Sequence, residues 1–246
     1  MTALRKVAAV ESGAAVRLQN ADWVAVADAL HARGYATLSS VLDPSKCQAV
    51  RELYERPALF RSRVVMARHG FGQGEYQYFS YPLSVEIDAL RHDFYRPLAP
   101  VANIWAERLG SDRRYPAELD DYLARCHHQG QKRPTPLLLK YGPGDYNRQH
   151  QDLYGGEQFP LQAAVLLSAP GSDFAGGEFV LTETAPRRQT RAEVVPLTQG
   201  DVVIFAVNHR PVPSAKGFSR VAMRHGVSTV RVGLRMTLGI IFHDAA

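Results

Sequence analysis

An α+β fold, with a helical N-terminal layer packed on an antiparallel β-sandwich or jelly roll, is what the 246-residue sequence predicts. Two observations carry this. Up to about residue 134 the apolar residues recur mainly at helical spacing. Beyond it, short β-prone runs follow one another: "PLLLKYG", "QAAVLLSA", "GEFVLTET", "AEVVPL", "DVVIFAV", "MRHGVSTV" and "LRMTLGIIFH". Gly, Pro or Asp separates most of these runs, and no helix-length segment intervenes, which argues against a parallel βαβ sheet. One domain is expected, with residues 1–134 as helical layer and substrate-recognition segment and 135–246 as catalytic core.

The elements can be justified in order. Asp22 suits the cap of a helix whose apolar face is Trp23, Val26, Ala27 and Leu30, ended by Gly34. "GYATLSSVL" then suits a strand. Asp43-Pro44 opens a second helix in the favoured cap-then-proline order, with Cys47, Val50 and Leu53 on one side. Residues 85–110 read as further helix interrupted around Pro97 and Pro100. Leu119, Tyr122, Leu123 and Cys126 mark one more helical face, ending in a solvent-facing His127-His128.

Composition narrows the class. With 46% hydrophobic and 22% charged residues the chain is of ordinary globular type. No apolar run approaches the ~20 residues that span a bilayer, and the amino terminus lacks a signal-peptide core, so no membrane partner and a cytoplasmic location are expected. Cys47 and Cys126 are far apart, which indicates no disulfide framework. The net charge of +5 mildly favours a polyanionic partner.

The chemistry is concentrated in the β half. In "YGPGDYNRQHQD" a strand reading would project His150 and Asp152 together, giving two corners of a metal site. Candidate third corners are His225 and His209. Two histidines and a carboxylate with no thiolate nearby favour non-haem Fe(II) over a closed structural zinc site. Ten residues after His225, Arg235 stands two from Thr237, and a guanidinium beside a hydroxyl is a good receptor for a carboxylate. Arg231 is the alternative anchor. Gly176-Gly177 reads as a tight turn.

The order H-x-D at 150–152, His225, then Arg235-Met-Thr237 resembles the 2-oxoglutarate/Fe(II)-dependent dioxygenases, and "DFAGGEFVL" and "QGDVVIF" are similar to their strand-and-turn segments. The resemblance covers roughly residues 135–245 and implies a double-stranded β-helix core. It also implies Fe(II) on His150, Asp152 and His225, 2-oxoglutarate on Arg235 and Thr237, and O2 as oxidant. Tyr141-Gly-Pro-Gly before His150 is similar to the "Y-x-P-G…H-x-D" of AlkB-type nucleic-acid dealkylases, which makes Tyr141 a second co-substrate residue. Those enzymes carry a further arginine six residues after the anchor, where this chain has Ile241. The spacing from His225 to Arg235 looks more like prolyl hydroxylases. Oxidative dealkylation of alkylated DNA or RNA, as in DNA repair, is therefore expected first, with hydroxylation of a protein or small molecule as the alternative and a non-catalytic metal sensor as a further one.

Segment 68–83, "RHGFGQGEYQYFSYPL", adds glycines and the aromatics Tyr76, Tyr78, Phe79 and Tyr81, with Arg61, Arg63 and Arg68 close by. Tyr76, Tyr78 and Arg68 would suit stacking on an extruded base and contact with phosphate. The competing expectation is a hairpin whose alternate tyrosines pack onto the core.

Overall fold

The computed structural model describes residues 13–246. Among the described residues five α-helices are present: α1 (Gly13–Gln19), α2 (Trp23–Arg33), α3 (Pro44–Glu52), α4 (Val85–Arg108) and α5 (Leu119–His128). The caps act as the sequence suggests. Asp22 accepts a hydrogen bond from the Ala25 amide at 2.9 Å, Gly34 closes α2 in the left-handed region, and Asp43 accepts from the Lys46 amide at 2.9 Å ahead of Pro44.

A seven-stranded antiparallel sheet is laid on the helices. Its spatial order is β1 (Tyr35–Leu38), β11 (Val202–Ala206), β7 (Leu161–Leu166), β15 (Arg235–Ile240), β5 (Leu137–Tyr141), β4 (Glu75–Phe79) and β2 (Phe60–Val65). The facing sheet runs β10 (Arg191–Val195), β9 (Phe179–Thr184), β13 (Gly217–Val227), β6 (Tyr146–His150) and β3 (Gly72–Gln73), with β12 (His209–Ser214) paired on the first half of β13. A small ribbon of β8 (Phe174–Gly176) and β14 (Val230–Gly233) closes one end. The architecture is α+β with a jelly-roll core.

Strand alternation separates two chemistries on the same strand. On β15, Met236, Leu238 and Ile240 enter the large cluster formed with Leu90, Phe94, Leu98 and Trp105 of α4. The intervening Arg235, Thr237 and Gly239 face the space between the sheets. Covered on both sides, β7 and β11 are buried throughout and read as nearly continuous apolar runs, whereas β15, equally buried, keeps Arg235 and Thr237 on its cavity face.

The described chain before residue 134 has more helix than strand, as expected, but β1 to β4 also lie there and join both sheets. Two expectations are corrected. "GYATLSSVL" forms strand only over Tyr35–Leu38 and then turns, with Ser40 at φ 52°. Helix α4 is continuous through Pro97 and Pro100. Each proline deletes one helix donor at a cost of about 3 kcal/mol, but Leu98, Ala99, Val101, Ala102 and Trp105 are buried on the sheet side, and their packing offsets it. Among the described residues no helix is long and apolar enough to cross a membrane.

Candidate metal centre

His150 is the last residue of β6 and lies directly across from His225 on β13, so their rings stand 4.2 Å apart. Asp152 follows beyond the strand end rather than within it, as the alternation argument assumed. Its Oδ1 is 3.4 Å from His150 Nε2 and its Oδ2 is 3.3 Å from His225 Nε2. One donor atom from each residue falls within 4.8 Å of the others. His150 Nδ1 donates to the Arg148 carbonyl at 2.7 Å, which leaves the Nε2 lone pair pointing inward, the tautomer a metal ligand needs.

The pairing between β6 and β13 slips between His225/His150 and Val227/Asn147, inserting one extra residue into β6. That bulge turns Asn147 and His150, three apart, into the same cavity. Burial alone would raise the carboxyl of Asp152, but hydrogen bonds to the two histidines hold it well below the usual carboxylate range. The imidazoles are driven apart. Burial opposes charge on His150, yet contact with Asp152 raises it, whereas burial and then the neighbouring His150 lower His225. One nitrogen from each imidazole and the ionised carboxylate form a donor set that could hold a divalent cation, and His225 Nδ1 is buried without a partner.

The cavity, about 200 Å³, runs from this cluster to Arg235. Arg235 is 2% exposed and directly opposite Tyr141 in the sheet register. Its Nη1 donates to Thr237 Oγ1 at 2.6 Å, its Nε has no partner, and among the described residues it makes no ion pair. Asn147 Nδ2 donates to the Tyr141 hydroxyl at 3.3 Å. Burial pushes the Arg235 guanidinium down to about 10. An enclosed cation without an anion is costly, and a carboxylate seated between Arg235 and Tyr141 would relieve that cost. The cavity therefore fits a bound cation at one end and an organic acid at the other.

The remaining predicted residues divide. Tyr76 lines the cavity. Tyr78, 8% exposed, also lines it but is tied by its hydroxyl to Tyr154 at 3.0 Å. Arg68 sits on an exposed 3-10 turn and is not part of the cavity wall. Arg61 donates to the Pro134 carbonyl and lies over the Tyr78 ring, and Arg63 pairs with Glu75, so both are engaged within the protein. The hairpin expectation thus accounts for most of this segment. His209 lies on β12, outside the cluster, and Arg231 faces solvent 3.7 Å from Glu178. Gly176 ends β8 and Gly177 follows it outside any assigned turn, both in the left-handed region with φ of 77° and 64°. His127 is not simply solvent-facing, because its Nε2 lies 2.8 Å from the buried Asp244.

Two residues escaped the sequence reading. Phe71 lines the cavity while 49% exposed, and stacks on His69 at 5.4 Å. Its neighbour Gly72 lets β3 approach β6, since a Cβ there would stand 2.3 Å from the Tyr146 carbonyl oxygen. A lone aromatic between two glycines was the available signal. Tyr154, the other, donates to Asp152 Oδ1 at 2.8 Å.

Residues 74–245 match the Oxygenase-NA family, described as "Oxygenase, catalysing oxidative methylation of damaged DNA". Over 168 residues the chain is 48% identical to the uncharacterized protein Rv2227 of Mycobacterium tuberculosis, covering 68% of this chain and 72% of that protein. The fold is similar to a Pseudomonas putida prolyl-4-hydroxylase, with a TM-score of 0.53 at 16% identity over 91% of this chain and 100% of the other. It is similar also to an oxidoreductase of the 2OG-Fe(II) oxygenase family from Burkholderia pseudomallei, with a TM-score of 0.53 at 17% identity over 92% and 94% of the two chains. The chain belongs to the Oxygenase-NA family.

Proposed function

We propose that this dioxygenase removes alkyl groups from damaged nucleic-acid bases, with His150, Asp152 and His225 holding Fe(II) and Arg235, Thr237 and Tyr141 holding 2-oxoglutarate. The observation that carries the substrate class is the match to a family described by its action on damaged DNA. The net charge of +5 and the exposed ring of Phe71 at the cavity mouth support it. Bound Fe(II) would supply activation of O2 for hydroxylating a substrate C–H bond as 2-oxoglutarate becomes succinate and CO2. The chain's own groups do the rest. Arg235 neutralises the far carboxylate of the co-substrate while the Tyr141 hydroxyl donates to it. Leu137, Leu139, Phe179 and Phe205 line the cavity and keep water from the reacting carbon. Tyr76 and Phe71 offer ring faces on which an extruded base can stack, each stack contributing roughly 1–3 kcal/mol.

A second reading, hydroxylation of a peptide or small molecule, is favoured by one observation. Position 241, where AlkB-type enzymes carry a second arginine, is an isoleucine 1% exposed. Methylated and longer-chain alkylated single- and double-stranded oligonucleotides, incubated with Fe(II), ascorbate and 2-oxoglutarate and followed by mass, separate the two. Loss of the alkyl mass is expected, together with loss of all turnover in His225→Ala. Succinate formation with every adduct intact would replace the nucleic-acid reading by the second.

A further inference from the structure

Tyr154 lies two residues past Asp152 and has no assigned part in the site above. Its hydroxyl donates to Asp152 Oδ1 at 2.8 Å and accepts from the Tyr78 hydroxyl at 3.0 Å. The ring is wedged edge-on against Tyr78, at 6.3 Å and 89°, and lies 6.0 Å from the His243 ring. Its backbone is clamped as well. Gln131, 1% exposed, donates to the carbonyls of Tyr154 at 2.9 Å, Glu157 at 3.0 Å and Asp244 at 2.6 Å, and accepts from the Glu157 amide at 2.7 Å. Gly155, at φ 96°, permits this closure, because a Cβ there would stand 2.5 Å from Gln131 Cδ. The phenol is thus carried on a loop tied to the buried C-terminal segment, and it reaches Asp152 from a rigid base.

We infer that Tyr154 is a positioning residue that holds Asp152 as a one-oxygen ligand, with Oδ1 retained by the phenol and Oδ2 left for the cation. This rests on the reading of His150, Asp152 and His225 as the ligand set. Two imidazoles and one carboxylate oxygen would give a divalent cation three protein donors and leave three places for the co-substrate and the oxidant. A carboxylate that swung to offer both oxygens would fill one of those three. The donated hydrogen bond withdraws charge from Oδ1 and fixes the rotation of the carboxylate about its Cβ–Cγ bond, so the swing is opposed before any cation arrives. Tyr78 supports the same hydroxyl from behind and acts one hydrogen bond further away.

The test is a Mn(II) titration, with free Mn(II) read by electron paramagnetic resonance, on wild type, Tyr154→Phe, Tyr78→Phe and Asp152→Ala. Removing a group that orients a metal ligand weakens metal affinity by about 10–100-fold, so Tyr154→Phe is expected to raise the Mn(II) Kd at least about tenfold. Its metal-free Tm should stay near that of wild type, and Tyr78→Phe should raise Kd by a smaller factor. An unchanged Kd in Tyr154→Phe, with affinity lost in Asp152→Ala, overturns the inference. Wild-type affinity in Asp152→Ala overturns instead the ligand assignment on which it rests.

Discussion

Arg91 and Arg235 are both buried, one under each end of β15, and they are treated in opposite ways. Arg91 is 0% exposed and each of its three guanidinium nitrogens has a hydrogen-bond partner. It donates to the carbonyls of Ile241 at 2.9 Å and Phe242 at 3.1 Å, to the Tyr81 hydroxyl at 2.9 Å, and to Asp244 at 2.8 Å. Asp244 in turn accepts from Tyr81 at 2.9 Å and meets His127 at 2.8 Å. Burial would lower the Arg91 pKa, but the adjacent Asp244 carboxylate lifts it above the usual value. Arg235, 2% exposed, donates to Thr237 and makes no ion pair among the described residues, and burial takes its pKa down to about 10 against the smaller opposing pull of Tyr141 and Glu178. The first arrangement is complete within the chain and locks the C-terminal segment to α4. The second is complete only when something negative enters the cavity. Burial of a charge therefore marks a site only where the partners are missing.

The strongest way to break this contrast is to unpair Arg91. Asp244→Ala should destabilise the protein by about 3–5 kcal/mol, the cost of leaving a buried cation without its partner. Urea unfolding measures it, and Arg235→Met in the same assay should be near neutral or stabilising. Equal losses in the two variants would mean that Arg235 is also a structural charge.

Function should divide the other way. On the proposed reading Arg235→Ala would remove a charge-assisted contact of about 2–4 kcal/mol to the co-substrate, so the 2-oxoglutarate KM should rise by one to three decades at about 1.4 kcal/mol each. Steady-state succinate assays report this. A normal KM in Arg235→Ala with a large rise in Arg231→Ala would move the anchor to Arg231.

The smallest expected effect is a pH dependence on the Arg91 side. His243 is fully buried, its Nδ1 accepts from the Phe159 amide at 3.2 Å, and its pKa is lowered to about 4, by burial first and then by Arg91. The folded histidine stays neutral where the unfolded one, at 6.5, takes up a proton. Stability is then lost as pH falls from 6.5 towards 4, by up to about 3 kcal/mol at 1.36 kcal/mol per unit. His243→Asn should flatten that part of the stability–pH curve, and an unaltered slope would show that other groups set it.

Much of this molecule is local, and local physics is legible in a sequence. The caps at Asp22 and Asp43 are decided by side-chain oxygens three residues from the amides they serve. The shared face of Arg235 and Thr237 follows from the two-residue period of a strand, and the H-x-D spacing brings His150 and Asp152 near one another even though the strand ends between them. What lay beyond reach depends on contacts between distant segments. How His225 meets His150 is one such contact, because the register of β13 on β6, set by packing across 75 residues of sequence, brings their rings to 4.2 Å. Tertiary packing likewise carries α4 through two prolines, encloses Arg235 while leaving Arg231 in solvent, and turns Tyr154 onto Asp152 through Gln131. Periodicity states which residues share a face. Only the folded chain decides what that face meets, because burial and unpaired charge are properties of the assembled neighbourhood.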